Sequence, residues 1–495
     1  MDMNDPLKVT AHLYAEMVRR RPMIAKATRY YDGDHALAFA SEKFLEAFGG
    51  LFRAFADNWC PLVIGAVEER LGVVGFRVDP GAAAADDSAH EIWQRNEMDL
   101  QSQIAHTEGL VQGAHYATAW VDDEDDSKAK LTVESALDAN VLCHPKIRSR
   151  RLAGLRCWMD DDGYEHVELF LETGEAKGRV YLFRSRAKRE GTMISSPERV
   201  QWVAEDHPDI VGKLDASSSM PNPFKVVPIV EFLNRPRLSV SKRAGFGAHS
   251  ELGPVMPLQD AANKIFADLL VASEFAAYPQ RWVTGWEPDT DNETDEVIPP
   301  RFRSGPGHTW WTENAEAEFG NFEVASVDGY VKTIELIVQH IASISSTPPH
   351  YLRASADRLS GESLRSAETG LVSKVRRKQQ SLGAGWEELM RVAGAIEGND
   401  ALRSAVRMET IWRDPETRTE SEHVDAVMKR KDLGIPLEQL WQDLGYTPEQ
   451  IKRFPAMRAR SSIETAAEVA SIRDAGPPPR TPPAPAPDEV DPAAA

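Results

Sequence analysis

Apolar residues recur at helical spacing along the first 71 residues of the chain. Leu13 and Val18 belong to one such stripe in residues 6–48, which read as helical on both sides of a polar turn, YYDGDH. A further stripe predicts a helix from Leu51 to Leu71, and Gly72 favours a left-handed cap at its end. The apolar side chains of this last stripe, which we expect in the core, are Phe52, Phe55, Trp59, Leu62, Val63 and Val67.

Between Gly75 and Pro236 the hydrophobic period changes toward two. Short β-branched and aromatic runs, separated by Asp, Gly and Pro, predict half-buried antiparallel strands. These runs are WVDD, KLTVES, NVLCHP, LRCWMD, HVELFLET, GRVYLFR, RVQWVAED and VVPIVEFLN. One predicted helix, Ala89–Val111, interrupts them, with apolar residues at Ile92, Trp93, Met98, Leu100, Ile104 and Leu110. This region is therefore expected to be an α+β unit.

A different series of elements begins near Gly253. Val255–Ala277 is predicted to be a helix about 35 Å long. Residues 278–326 then lose helical periodicity, and Asp328–Ser345 is a second helix with one apolar stripe. A polar segment, SSTPPHYLRASADRLSG, whose prolines end the second helix, leads to a third helix, Glu362–Glu397. We expect that helix to be very long unless it kinks at its glycines, Gly370, Gly383 and Gly385.

The C-terminal part of the chain is predicted to have mixed structure, followed by a segment with too few apolar residues to form a core. Residues 408–460 include a predicted helical pair, PLEQLWQDLG and TPEQIKRFP. From Gly476 onward the sequence is rich in proline and alanine, which favours a disordered or polyproline extension.

Composition limits the possible function classes. The 495 residues predict three or four folding units. The 57 Lys and Arg against 77 Asp and Glu give a formal charge of −20, the wrong sign for a protein that neutralises DNA phosphates over its whole surface. Three cysteines cannot all pair, which favours a reducing compartment. Because no signal-peptide core or long apolar window is present, we expect a soluble intracellular chain.

Known catalytic motifs do not occur in the sequence. It has no phosphate-binding P-loop, no dinucleotide-binding fingerprint and no H-E-x-x-H, and GESLR lacks the closing glycine of a nucleophile elbow. Ser360 and Ser363 are interpreted as helix caps. The cysteines and histidines lack zinc-ligand spacing, and no cofactor is expected.

Two charged runs remain open to more than one interpretation. The acidic run is either a solvated loop or the lining of a surface that must not adhere to DNA; it comprises Asp289, Asp291, Glu293, Asp295 and Glu296. The basic run is either a solvated helix face or a phosphate-facing patch; it comprises Lys374, Arg376, Arg377 and Lys378.

Several segments together resemble a known family. They are YYDG at residues 30–33, residues 47–71, SSTPPHYL (345–352) followed by LSGESLRSAE (359–368), and IWRDPETRTESEHVDAV (411–427). With these segments in this order, the chain resembles the portal proteins of tailed bacteriophages, particularly long-tailed phages of Gram-positive and actinobacterial hosts. The SSTPPHYL and SGESLR pair between two helices is the most specific part of this resemblance. The resemblance does not extend to the tail beyond Arg473.

The resemblance implies a phage portal fold of the α+β class, with an α+β wing, a two-helix stem, a small clip, a long kinked helix and a helical crown. Its expected boundaries are 1–252 for the wing, 253–277 for the first stem helix, 278–326 for the clip, 327–345 for the second stem helix, 346–361 for a tunnel loop, 362–398 for the long kinked wing helix, 399–429 for the wing return, 430–473 for the crown and 474–495 for a disordered tail.

The same resemblance implies a structural role in the virion. Portal proteins form a ring, typically of twelve identical subunits, at one capsid vertex. The ring initiates head assembly, docks the terminase large subunit, and conducts double-stranded DNA during packaging and ejection. Further partners would be head-completion or adaptor proteins, the major capsid protein and scaffold, with assembly in the host cytoplasm and no membrane contact. The alternatives are another virion protein, such as a minor capsid or head-completion protein, and an acidic metal-dependent hydrolase or nuclease.

Three groups of side chains are expected to carry these roles, none of them catalytic or metal-binding. In the tunnel loop, the residues nearest DNA would be His350, Tyr351, Arg353 and Arg358; the two arginines contact phosphates or form salt bridges between subunits. In the clip, the residues expected to contact terminase or head-completion proteins are Trp282, Trp286, Asp289, Asp291, Glu293, Trp310 and Trp311. In the stem, the packing residues are Ile265, Leu269, Leu270, Ile334, Ile337 and Ile341.

The net charge agrees with this interpretation. A ring of subunits that each carry −20 repels DNA, which itself carries about one negative charge per 1.7 Å. Repulsion favours sliding over stable binding, so the few contacts to DNA should be non-specific.

Overall fold

The N-terminal helix, α1 (Pro6–Asp32), begins where its sequence predicts and extends through the first three residues of the predicted YYDGDH turn. The Asp5 side chain accepts hydrogen bonds from the backbone N–H groups of Leu7 and Lys8, and Gly33 ends the helix at φ +79°. Leu13 and Val18 lie in a buried cluster that joins α1 to a sheet. The helical stretch predicted after the YYDGDH turn falls almost wholly outside the described residues.

A computed structural model describes most of the chain. The described residues are 3–34, 42, 46, 57–79, 85–174, 177–185, 200, 202–204, 219–237, 247–277, 281–285, 315–322, 326–352, 361–416, 420–444, 446 and 450–460. The chain divides into two compact units, Met1–Glu422 and His423–Ala495.

The next helix is shorter than its apolar stripe predicts. Helix α2 (Cys60–Glu68) starts at its N-cap Trp59, and residues 57–59 are not helical. Its C-cap, Glu69, is right-handed, and Gly72 is not among the residues with positive φ, so the predicted left-handed cap is wrong. Val63 and Val67 are buried as predicted, but Leu62 is exposed.

The predicted helix Ala89–Val111 is two helices, α3 (Asp87–Arg95) and α4 (Met98–Gln112). The break lies at Glu97, whose φ is +52°. Its physical cause is Asn96: the buried side-chain amide donates to the carbonyls of Ile92 and Ala129 and accepts from the N–H of Leu131, which fastens the end of α3 to a neighbouring strand. The change of direction leaves Leu100 and Ile104 exposed, although their spacing placed them on the apolar stripe.

The strands of the larger unit form antiparallel sheets, and each of the eight predicted runs overlaps a strand, although WVDD shares only its first two residues with one. The strands are β1 (Val73–Arg77), β2 (Ala114–Val121), β3 (Ala129–Ser135), β4 (Ala139–Cys143), β5 (Arg151–Met159), β6 (Glu165–Leu171), β7 (Arg179–Ser185), β8 (Trp202–Ala204), β9 (Ser219–Pro221) and β10 (Ile229–Leu233). One sheet has the order β10-β2-β3, and a second has the order β4-β5-β6-β7-β8, with β9 paired to β7. With the helices on these sheets, the predicted α+β class is confirmed.

Three of the helices that follow match their predicted limits to within one residue: α5 (Met256–Ala277), α6 (Asp328–Ser345) and, after the short helix α7 (Pro349–Leu352), α8 (Gly361–Ile396). The two short helices, α7 and α9 (Asp400–Arg403), were not predicted. Between α5 and α6 lie two short paired strands, β11 (Arg281–Thr284) and β12 (Glu318–Asn321). Helix α8 runs without interruption over 36 residues, about 54 Å.

The chain returns to its N-terminal part through β13 (Glu409–Trp412), which pairs antiparallel with β1. The core of the larger unit lies between this return, α8 and the β10-β2-β3 sheet. Its largest fully buried side chains include Trp93, Trp386, Phe76 and Phe232.

The described residues of the smaller unit are mainly helical. Helix α10 (Glu420–Asp432) leads into it, followed by α11 (Leu437–Asp443) and helical residues 450–460. Phe454 contacts the rings of Trp441 and Tyr446, and Leu440 and Ile451 are buried. The capping box expected at Thr447 lies outside the described residues.

Candidate functional site

The segment between α5 and α6 brings two extended strands together. Trp282 on β11 lies opposite Gly320 on β12, and the indole ring occupies the space that a side chain at Gly320 would need. Phe319 and Phe322 are exposed on this small sheet. The other residues predicted for this segment lie outside the described residues: Trp286, Asp289, Asp291, Glu293, Trp310 and Trp311.

Helices α5 and α6 pack against each other and against the main core, as their apolar stripes predict. Ile334 and Ile341 are buried, and Ile265, Leu269 and Ile337 are partly buried against the core. Four other apolar side chains of these helices are exposed in a single chain: Leu270 (41 %), Val331 (45 %), Leu336 (50 %) and Ile344 (52 %).

The segment that follows α6 is fastened at its start. Ser346 caps α6 at φ +56°, and its N–H donates to the carbonyls of Ala342 and Ser343. The ammonium group of Lys374 on α8 donates to the Ser345 carbonyl at 2.9 Å. A cation at this position compensates the partial negative charge at the helix C-terminus.

The short helix α7 is held by a polar cluster centred on Arg70. The Arg70 guanidinium donates to the Tyr351 hydroxyl at 2.7 Å and lies over the Tyr351 ring. It also pairs with Glu368 of α8 and donates to the Pro415 carbonyl. His350 Nε2 lies 3.8 Å from the Glu368 carboxylate. The cluster thus joins α2, α7, α8 and the return strand at one point.

Of the four tunnel-loop residues predicted to lie nearest DNA, two fall within the described residues and two do not. His350 and Tyr351 belong to the anchored start of the segment, where Leu352 is also buried. Arg353 and Arg358 lie outside the described residues. Neither Arg70 nor Glu368 was predicted to take part. Both lie in segments that carry the family resemblance, but no local pattern pairs them with the loop, and Arg70 is 281 residues from Tyr351 along the chain.

The basic run on α8 is not a uniformly solvated or phosphate-facing patch. Lys374 and Lys378 are buried and share one partner, the buried carboxylate of Glu251, with 2.8 Å between Lys374 Nζ and Glu251 Oε2. Burial raises the pKa of Glu251, but the two lysines outweigh it and lower that pKa to about 2. Arg376 and Arg377 are exposed, as a solvated face requires. The cause of the difference is the helical period, which points residues 374 and 378 to the same face.

Two histidines are buried without charge in the aromatic core. Trp386 Nε1 donates to His106 Nε2 at 3.0 Å, and His115 stacks on Phe232 with 4.5 Å between ring centroids. Burial lowers the pKa of His106 to about 3 and lowers the pKa of His115 well below 6.5. Because protonation would place a cation among aromatic rings, both histidines are neutral in the folded chain.

Because His106 and His115 are buried without charge, we expect the folded chain to lose stability in mild acid. Between pH 6.5 and pH 3 the unfolded chain binds more protons than the folded chain, so the free energy of unfolding falls as the pH falls, by about 1.4 kcal/mol per pH unit for each histidine. We expect His115→Gln to reduce this slope, measured by urea unfolding from pH 7 to pH 5. His12→Gln, at a half-exposed position of α1, is the matched substitution outside the core. Equal slopes in the wild type and the His115→Gln protein would contradict the assignment.

Neither a metal centre nor a membrane span is present in the part of the chain that the structure describes. No three His, Cys, Asp or Glu side chains come together there as a metal would require. None of the described helices has the length and apolar content needed to cross a bilayer.

Comparison with known proteins gives consistent matches over most of the chain. The family model described as "Phage portal protein, SPP1 Gp6-like" matches residues 10–462. A portal protein of Mycobacterium phage L5 is 27 % identical over 510 residues, covering 98 % of this chain and 96 % of the relative. A portal protein of Mycobacterium phage D29 is 28 % identical over 414 residues, covering 81 % and 79 %.

Proposed function

Since the chain belongs to the SPP1 Gp6-like family of phage portal proteins, we propose that it forms a closed ring of identical subunits at one vertex of a phage capsid. The ring conducts double-stranded DNA inward during packaging and outward during ejection. It acts as a structural part of the virion and not as an enzyme. The observation that carries the proposal is the family match over residues 10–462, supported by the helix, strand pair, helix and anchored-loop series within it.

The described elements support a specific division of labour. Helices α5 and α6 form the stem, and residues 278–326 form the clip, which docks terminase and later head-completion proteins. Residues 346–361 form the tunnel loop, residues 1–252 and 362–429 the wing, and residues 430–473 the crown. The exposed apolar side chains of α6 support the stem assignment, because a ring would bury them between copies.

The anchoring of α7 supports a loop that acts at a fixed position. Arg70, Glu368 and the buried Leu352 hold the start of the segment on the wing. Only the residues after Leu352 are then available to reach the channel. Arg353 and Arg358 are the cations of that part, and they would contact phosphates without reading base sequence.

The acidic character of the chain suits passage of DNA. With a formal charge of −20 per subunit, a ring attracts no stable coat of nucleic acid. The energy for movement has to come from a partner, since the sequence carries no nucleotide-binding P-loop.

Ring formation is the direct test of this proposal. The purified full-length chain should form one closed oligomer, seen as a single multiple of the 55.0 kDa subunit mass by native mass spectrometry. Negative-stain images should show a ring with an axial opening. A chain that stays monomeric at all salt and protein concentrations would contradict the proposed function.

A further inference from the structure

A basic cleft lies where the end of α6, the start of α5 and α8 meet. Its volume is about 400 Å³, and five cationic side chains line it against a single carboxylate: Arg235, Arg237, Lys374, Arg377 and Lys378, with Glu251. In a chain with 20 more acidic than basic residues, this concentration of positive charge runs against the overall composition.

The positive charge of the cleft exceeds what its own residues can neutralise. Lys374 and Lys378 already share Glu251. The side chains of Arg235, Arg237 and Arg377 have no hydrogen bond or ion pair with the described part of the chain. Residues 238–246, which follow directly, contain Lys242 and Arg243 and no acid.

The arginine-bearing turn is held in position before any partner arrives. Arg235 adopts φ +50°, an uncommon conformation for a residue with a side chain. Asn234 on one side donates from its amide to the His249 carbonyl at 2.8 Å, and the Arg237 N–H donates to the Gly247 carbonyl at 3.0 Å. Such preorganisation lowers the entropy cost of binding an anion.

An acidic turn lies at the opposite end of the same sheet. Residues 122–126, DDEDD, open the connection from β2 to β3, which ends with Ser127 and Lys128. The Asp122 and Asp125 carboxylates accept hydrogen bonds from the backbone N–H groups of Glu124 and Ser127, which fixes the shape of the turn. The exposed carboxylates of Asp123, Glu124 and Asp126 have no hydrogen bond or ion pair with the described part of the chain.

The length of β2 separates the two surfaces. The cleft adjoins the first residue of β2, since Leu233 pairs with Ala114 and Arg235 follows two residues later. The acidic turn follows Val121, the last residue, which places it about 25 Å away. The turn therefore cannot fill the cleft of its own chain, but it can fill that of another copy.

We propose that the acidic turn of one subunit docks into the basic cleft of the next subunit. The two surfaces differ and are complementary in charge, which is the requirement for a heterologous, head-to-tail interface that closes into a ring. This inference rests on the proposed function, and it identifies one contact that sets the direction in which subunits follow each other.

A charge exchange between the two surfaces tests the inference. Asp123→Lys with Glu124→Lys changes the turn, and Arg235→Glu with Arg377→Glu changes the cleft. At about 0.1 M salt, where the Debye length is about 10 Å, each pair alone should lower the fraction of chain in rings about tenfold, because like charges then face each other. The protein carrying all four changes should recover to within about threefold of the wild type in native mass spectra.

Matched controls separate this contact from general effects. Arg403→Glu with Arg407→Glu, at two exposed arginines, changes the charge by the same amount and should leave the rings intact. If both reversed variants form rings as readily as the wild type, the proposed interface is overturned but the proposed function is not. If the wild-type protein itself forms no rings, both are overturned. Loss of DNA binding by the cleft variant with unchanged rings would mean that the cleft holds DNA phosphates, which also overturns the proposal.

A cross-link keeps the inference testable if the reversed variants fold poorly. A chain with Glu124→Cys and Arg377→Cys should form disulfides between copies on mild oxidation. A ladder of cross-linked multimers in the full-length protein, not seen with either cysteine alone, is the expected result. Only monomers after oxidation of assembled rings would overturn the proposal.

Discussion

Replacing Glu251 with glutamine should lower the free energy of unfolding of the larger unit by about 3–5 kcal/mol. The Glu251 carboxylate is 4 % exposed and pairs with two lysines that are themselves almost buried. Removing its charge leaves two ammonium groups close together without a counter-charge, which is far costlier than losing an exposed ion pair. The change should also loosen the junction between α8 and the end of α6, since Lys374 holds both Glu251 and the Ser345 carbonyl.

Urea unfolding followed by tryptophan fluorescence measures this effect. The control is Glu416→Gln, which removes the half-exposed partner of the exposed Arg376 and should change stability by less than about 1 kcal/mol. Because the pKa of Glu251 is lowered to about 2, its contribution is complete above pH 4.5 and disappears as the pH falls toward 2. A Glu251→Gln protein as stable as the wild type at pH 7 would contradict the assignment of a buried ion pair.

Deleting residues 353–358 should abolish DNA-filled heads while leaving rings intact. The deletion begins after Leu352, so the Arg70 and Glu368 contacts that anchor α7 are kept. It removes Arg353 and Arg358, the only cations between Leu352 and Gly361. We expect at least a tenfold fall in nuclease-protected DNA per particle, measured in the phage that encodes the chain, with normal ring mass.

A second variant separates the two roles left open for the loop arginines. Arg353→Ala with Arg358→Ala keeps the length of the loop. If the arginines contact phosphates, rings stay stable in high salt and only DNA retention falls; if they bridge subunits, the rings dissociate at lower salt than the wild type. Full DNA retention after the deletion of residues 353–358 would contradict the tunnel-loop assignment itself.

Local periodicity predicted the elements of this fold well, since it reflects contacts within one helix or strand. The limits of α6 agree with the prediction at both ends, and every predicted strand run overlaps a strand. The failures come from distant contacts. Asn96 breaks a helix because its amide bonds to β3, and nothing in the local pattern announces that partner.

The candidate site was predictable only in part, for the same reason. The SSTPPHYL and SGESLR segments located the loop between two helices, but the side chains that anchor it come from elsewhere. Arg70 is 281 residues from Tyr351 along the chain, and Glu251 is 127 residues from Lys378. The basic run on α8 was therefore interpreted as a solvated face or a phosphate-facing patch, although two of its four residues are buried against the Glu251 carboxylate.

The position of the loop in the ring tests the central claim most directly. A chain with Ala356→Cys can carry a heavy-metal cluster on that thiol. The native cysteines should not compete, because burial raises the pKa of the Cys60 and Cys143 thiols to about 12 and Cys157 is buried. Averaged electron micrographs of labelled rings should show the clusters around the axial opening. Clusters at the outer rim, or labelled protein that forms no rings, would contradict a DNA-conducting ring lined by this loop.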